Sequence, residues 1–187
     1  MRLGALVLAA GAGRRFGGSK LSASFRGEPL IDHALRAARA APAERLIVVA
    51  APSLALPDGV EAVRLESAAL SESLKAGIAA VGAVDGLFVF LGDMPLVPHA
   101  VAGRLVALLP GHYAALPRFS GRPGHPVLLS AAALADAQGL SGDEGAGRLL
   151  RGRGDVAWLD WTDAAVTFDI DRAEDLARLE RGPGNGS

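Results

Sequence analysis

The chain contains no cysteine, which excludes disulfides, thiolate catalysis and cysteine-held metals. Net charge is nearly absent too: 19 basic residues stand against 20 acidic ones, leaving −1 at pH 7. Such a balance exerts no bulk attraction on nucleic acid or on acidic lipid. Any anionic ligand must therefore be held by a local cluster. No apolar run approaches the roughly 20 residues needed to cross a bilayer, so no membrane association is expected. The opening MRLGALVLAAGAGRR has the charge, apolar run and small residues of a secretion signal, but the run is short and two arginines follow it directly. A first strand is the better reading, and a cytoplasmic location is the expectation. Internal repeats and linkers are missing as well. A length of 187 residues then suits one domain with a full core. We expect that domain to span residues 1–181, with GPGNGS at 182–187 as a disordered tail.

What is present is an alternation of apolar runs, bounded by Gly, Pro and Asp, with Ala- and Leu-rich helical patterns. Strands are predicted at 3–9, 45–50, 60–65 and 86–91. The last of these, GLFVFL, is apolar on both faces, as a central parallel strand is. Further strands are predicted at 112–117 and 126–129, flanking the loop RFSGRPGH, and at 155–159 and 166–168. Helices are predicted at 29–40, 71–81, 98–109, 131–138, 144–151 and 172–181. Alternation of this kind indicates a three-layer αβα, Rossmann-like domain with a mainly parallel mixed sheet. Sheets of that class bind ligands beyond the carboxyl ends of their strands. The loops after Ala9, Leu91 and Phe168 are thus the places to look.

The first of these loops is AAGAGRRFGGSK. Gly11, Gly13, Gly17 and Gly18 let a backbone approach an anion closely, and successive N–H groups in such a turn form an anion-binding nest. Arg14, Arg15 and Lys20 add three cations within seven residues, which suits a triphosphate. The spacing is not that of a P-loop, and the third glycine of a dinucleotide fingerprint is replaced by Phe16. The alternative is a flexible surface turn carrying solvated arginines.

The second loop is LGDMPLV, 91–97. A carboxylate at the end of so apolar a strand requires a partner. For Asp93 that partner is either a Mg²⁺ ion shared with phosphates or the turn before Pro95. The third loop is FDIDRAEDL, 168–176. Asp169 and Asp171 precede a helix whose positive end Glu174 and Asp175 also favour. Capping explains one of these acids; a second metal ligand opposite Asp93 explains the other.

Taken together, LAAGAGRRFGGSK, LGDMP, GRPGHPVLL (121–129), GDEGAGRLL (142–150) and DIDRAEDL resemble, in order, the motifs of the MobA-like nucleotidyltransferases, and within them the molybdenum cofactor cytidylyltransferases (the MocA-like group). The resemblance runs from Leu6 to Leu179. It implies transfer of CMP from CTP to a molybdopterin-type cofactor, with release of pyrophosphate and with Mg²⁺ as the cofactor. It implies a nucleotide site built from Ala9, Ala10, Gly11, Gly13 and Arg14, with Ser71 and Ser73 lining the pocket. Lys20 and Arg15 carry the catalytic charge, Asp93 and Asp171 hold the metal, and His125 faces the acceptor. Whether Asp169 also binds metal is left open. The resemblance is compatible with transient contact with a molybdoenzyme or its chaperone.

The sequence departs from the family pattern at three places. Ala69 stands where a Gly opens the serine segment, Gly147 replaces an Arg, and Arg172–Ala173 replaces Thr-Pro. These changes spare the triphosphate and metal residues and bear on the acceptor and the base. Guanylyl transfer to the same cofactor, nucleotidyl transfer to a small phosphorylated metabolite, and a non-catalytic cofactor chaperone are the alternatives. His125 also reads as a plain turn residue, and Trp158 and Trp161 as packing.

Overall fold

The computed structural model describes residues 1–11, 16, 19–66 and 69–181. Its strands are β1 (Leu3–Ala9), β2 (Ser24–Phe25), β3 (Glu28–Pro29), β4 (Arg45–Ala50), β5 (Ala62–Arg64), β6 (Gly86–Leu91), β7 (Ala114–Phe119), β8 (Arg122–Pro123), β9 (Val127–Ser130) and β10 (Val156–Asp160). The helices are α1 (Leu30–Arg39), α2 (Leu70–Val81), α3 (Ala100–Val106), α4 (Ala131–Asp136), α5 (Ala146–Leu150) and α6 (Ala173–Arg181). The predicted tail, 182–187, lies outside the described residues.

Eight strands form the main sheet in the order β10-β7-β9-β6-β1-β4-β5, with β8 paired to β7. The pairs β1–β4, β1–β6, β4–β5 and β7–β10 are parallel. Only β9 runs against both of its neighbours, β6 and β7. This is the three-layer, mainly parallel mixed sheet expected from the alternation of elements. Side-chain alternation divides the core into two layers. Ala5, Val7, Phe88 and Phe90 face α1 and α3 with Ile31, Leu35, Val101 and Leu105. Leu6, Leu87 and Val89 face the opposite layer with Leu74 of α2 and Leu134 of α4. The approach of α2 to β1 is close enough that a Cβ on Gly77 would lie 2.4 Å from the Leu6 side chain.

Two features place the functional ends. From β1 the chain moves outward to β4 and β5, then returns to β6 on the other side of β1. The loops after β1 and β6 therefore diverge, opening the crevice in which sheets of this class bind ligands. Because β9 is antiparallel to β6, with Val127 opposite Val89, the residues just before β9 sit beside the carboxyl end of β6. His125 is thereby delivered to the same end of the sheet as Asp93.

The strand predicted at 166–168 does not form. Residues Ala164–Thr167 make a 3-10 turn, started by the Asp163 carboxylate, which accepts from the Ala165 amide at 2.9 Å. Val166 still buries its side chain completely, but its carbonyl accepts from the His125 amide at 2.8 Å rather than from a ladder neighbour. A short apolar run signals burial without specifying which element provides it. Two hairpins turn on paired left-handed residues, Arg26–Gly27 (φ 53° and 85°) and Ser120–Gly121 (φ 48° and 77°). Their geometry matches the twist that two-residue hairpins need.

Candidate active site at the carboxyl ends of β1 and β6

Each functional side chain is set by the element that precedes it. Lys20 opens a single 3-10 turn, Lys20–Ser22, held by the Ala23 amide donating to the Lys20 carbonyl. Leu21 and Phe25 bury beside it, and Phe25 packs on His33 of α1 with ring centroids 4.9 Å apart. The His33 ring also reaches the Phe25 carbonyl at 2.8 Å. These contacts fix the segment, and the Lys20 ammonium then extends across to the loop after β6. It donates to Asp93 Oδ2 at 2.8 Å and lies 3.5 Å from Asp171 Oδ1.

The third acid loop is placed by its central residue. Ile170 is completely buried with Phe25 and Leu30, and its amide donates to the Asp93 carbonyl at 3.0 Å. In an extended segment the flanking residues point to the opposite side, so Asp169 and Asp171 share one face. The start of α6 is capped by Asp175, which accepts from the amides of Asp171 and Arg172 at 3.1 and 2.9 Å. Capping is thus assigned to Asp175, and the acids upstream of it join Asp93. One carboxylate oxygen from each of Asp93, Asp169 and Asp171 lies within 4.8 Å of the others. Partial burial and the charges of Asp171 and Asp93 push the Asp169 carboxyl above its usual range. Convergent carboxylates with too little positive charge between them match the donor set of a hard divalent cation. Asp169, which the sequence left undecided, belongs to this cluster.

Two cavities open near this end of the sheet, one lined by Lys20 and the other by Leu91 and His125. The smaller, about 280 Å³, is lined by Ala9, Gly11, Lys20 and, from the loop after β4, Ala51, Ser53 and Leu54. It brings three predicted residues together and adds the β4 loop, which sequence reasoning missed although it too follows a buried parallel strand. Ala10 turns into the core. Gly13, Arg14 and Arg15 lie outside the described residues.

The larger cavity, about 800 Å³, lies over the opposite sheet face, between Leu8, Val89, Leu91, Leu116 and Val127 below and the 143–151 segment above. His125 forms part of its wall, with Nδ1 3.3 Å from the Val89 carbonyl. Burial pushes the imidazole below its ordinary pKa, against the opposing effects of Val89 and Asp93. The ring is therefore neutral at pH 7, a hydrogen-bonding wall residue and not a fixed charge. Gly124 is required just before it, because a Cβ there would lie 2.4 Å from the Val166 carbonyl oxygen.

Ser71 and Ser73 are buried in the first turn of α2. The Ser71 amide donates to the Gly142 carbonyl at 3.1 Å, and it is their neighbour Leu70 that lines the large cavity. Trp161 packs against the core as expected. Trp158 does not: it is 39% exposed and lines the large cavity together with Leu70, itself 38% exposed. Its place on β10 directly beside Leu116 of β7 puts it on the cavity face of the sheet.

Comparison with known proteins agrees with this geometry. The purine catabolism protein PucB of Bacillus subtilis (strain 168) is 29% identical over 196 residues, covering 94% of this chain and 95% of its own. The crystal structure of Rv0371c from Mycobacterium tuberculosis H37Rv superposes with a TM-score of 0.86 at 28% identity, over 97% of this chain and 100% of that one. A further structure of that protein is a complex with manganese, with a TM-score of 0.83. The molybdopterin-guanine dinucleotide biosynthesis protein A of Archaeoglobus fulgidus shares the fold, with a TM-score of 0.71 at 21% identity over 95% of this chain and 97% of its own. The MobA-like NTP transferase domain matches residues 5–157, a span that takes in Lys20, Asp93, His125 and the lining of both cavities except Trp158. With the sheet order, the crevice and the sequence match in agreement, the chain belongs to the MobA-like NTP transferase family.

Proposed function

We propose that this nucleotidyltransferase-family chain transfers CMP from CTP to a molybdopterin-type cofactor, with release of pyrophosphate and with Mg²⁺ bound by Asp93, Asp169 and Asp171. The observation that carries the reading is the meeting of Lys20 with Asp93 and Asp171, within a cluster of three carboxylates, at one end of the sheet. A binding protein that only sheltered a cofactor would need the large cavity but not the carboxylates. The fold, the family and a manganese-bound relative support the metal.

In this reading the triphosphate lies along Gly11 and Lys20, with Gly13, Arg14 and Arg15 completing the loop. An oxygen of the acceptor's terminal phosphate attacks the α-phosphorus in line, the bond to the bridging oxygen breaks, and pyrophosphate leaves. Lys20 stabilises the charge that grows on the α-phosphate and on that bridging oxygen, and Arg15 holds the outer phosphates with its planar fork. A divalent cation held by Asp93, Asp169 and Asp171 would supply charge neutralisation to the reacting phosphates. An ionised phosphate nucleophile needs no deprotonation, so the chain's task is positioning and electrostatics. That agrees with a neutral His125, which orients the acceptor from the wall of the large cavity. Ser71 and Ser73, expected to line the nucleotide pocket, line neither cavity; being buried, they support the start of α2, from which Leu70 faces the large cavity.

Pyrophosphate release measured with each of the four nucleoside triphosphates, with and without molybdopterin, tests the assignment. Release that requires both CTP and molybdopterin is the expected result. Release with GTP, or with a phosphorylated metabolite in place of molybdopterin, would reassign the base or the acceptor. No release with any pair would refute nucleotidyl transfer.

A further inference from the structure

In the proposed reading Lys20 serves phosphate and the three acids serve metal. Here they touch. The Lys20 ammonium is 2.8 Å from Asp93 Oδ2 and 3.5 Å from Asp171 Oδ1, and its side chain is only 12% exposed. The oxygens it approaches belong to the set that converges within 4.8 Å. A hard cation binds carboxylate oxygen at ~2.0–2.6 Å, so an ammonium seated on those oxygens obstructs it in two ways. It offsets part of their negative charge, and it repels a second positive charge brought within a few ångströms.

We propose that Lys20 competes with the divalent cation for Asp93 and Asp171, and that the triphosphate admits the metal by drawing Lys20 away. The proposal rests on the nucleotidyl-transfer reading for the triphosphate, but its first half concerns only this chain and a metal ion. Lysine carries its charge on a flexible four-carbon stem. The same side chain lines the small cavity with Gly11 at the end of β1, where a triphosphate offers a denser set of anionic oxygens. Transfer of the ammonium from carboxylate to phosphate frees the acids as the substrate arrives. Metal and nucleotide then bind with positive coupling, and by linkage each raises the affinity of the other by the same factor. Lys20 acts as a counter-ion that changes partners, occupying Asp93 and Asp171 until phosphate is present. Assembly of the site is thereby ordered: nucleotide and metal enter together, and an acceptor phosphate meets no exposed cation beforehand.

The test uses Mn²⁺ alone, titrated into the full chain and followed by the loss of the free-ion electron paramagnetic resonance signal. Lys20→Met is expected to bind Mn²⁺ about tenfold more tightly than the unmodified chain, within the usual range of coupling between sites. Lys20→Arg, which keeps the charge, is expected to stay within about twofold of the unmodified chain, a difference well below that coupling range. Lys20→Gln is measured alongside, and thermal melts of all three establish folding, so that one unstable variant does not decide the outcome. Adding Asp93→Asn to Lys20→Met should abolish the gain. Unchanged or weaker Mn²⁺ binding in both neutral variants would overturn the proposal, as would equal tightening in Lys20→Arg or a gain that survives Asp93→Asn. None of these outcomes depends on CTP or on an acceptor. Failure here leaves nucleotidyl transfer standing, and failure of the pyrophosphate assay leaves this measurement standing.

Discussion

The Ile170 amide donates to the Asp93 carbonyl at 3.0 Å, joining a loop near the end of the chain to the loop after the central strand. Because Ile170 is completely buried beneath that bond, its two acidic neighbours have one side left to occupy. The acid cluster is therefore assembled by a hydrogen bond and an apolar anchor, with no attraction needed among the carboxylates themselves.

Lys20→Ala is expected to lower kcat by roughly a hundredfold or more, since deleting a comparable transition-state donor costs about 2.7–4 kcal/mol. Steady-state pyrophosphate release at saturating substrate checks it. Near-normal turnover would remove Lys20 from the chemistry.

Asp93→Asn should abolish metal-dependent turnover while leaving the unfolding midpoint close to that of the unmodified chain. The carboxylate is partly exposed and contacts Lys20, and the carbonyl that receives Ile170 is retained. Activity and a thermal melt on the same preparation distinguish the two effects. A collapsed midpoint would make Asp93 a structural residue.

Trp158→Ala is expected to raise the acceptor KM by about tenfold, the scale of truncating an aromatic contact. The KM for the triphosphate should not change, because Trp158 lies on the large cavity and Lys20 on the small one. Equal shifts in both constants would point to loosening of β10 and not to a lost contact.

Gly124→Ala should destabilise the fold by about 1–3 kcal/mol, the usual cost of overpacking. The added methyl would meet backbone at Val166, which cannot rotate away as a side chain can. Chemical denaturation measures the cost, and a shift toward greater stability would contradict the close approach.

Tyr113, the single tyrosine of the chain, gives a pH prediction. Burial, followed by its hydrogen bond to Asp136 at 2.8 Å, pushes its phenol up to about 12 from a reference of 10.0. Between those values the unfolded chain has lost a proton that the folded chain keeps, so stability falls as pH rises from 10 toward 12. Spectrophotometric titration of the phenolate shows the raised value directly. Tyr113→Phe should flatten that fall in denaturation experiments; an unaltered slope would assign it to other groups.

Much of the architecture was legible because its strands are buried on both faces. Apolar runs such as 3–9, 45–50 and 86–91 coincide with β1, β4 and β6. Asp93 and Lys20 were legible for the complementary reason, as charges placed where an apolar strand ends. Asp169 was harder to place. The cap it might have provided is supplied by Asp175, and a reach-back of four residues becomes visible only in three dimensions. The two-residue strands β2 and β3 fall below any periodicity, and the run at 166–168 signalled a buried valine without revealing that its carbonyl serves His125. Trp158 read as packing because nothing in an apolar neighbourhood tells which face of an edge strand will be covered.

The antiparallel β9 has one more consequence. On one side of it stand β6, β1, β4 and β5, whose ends carry Asp93, Lys20 and the small cavity. On the other stand β7, β8 and β10, with α5 above, which supply Trp158, Leu116 and Arg148 to the large cavity. In the proposed reading, the large cavity thus takes Trp158 and Arg148 from beyond β9 and shares its floor at Leu8, Val89 and Leu91 with the strands that carry the phosphate site. Under that reading, exchange of 112–160 between relatives would alter the acceptor preference while sparing Lys20, Asp93, Asp169 and Asp171, so that one scaffold could acquire new acceptors without rebuilding its reactive centre.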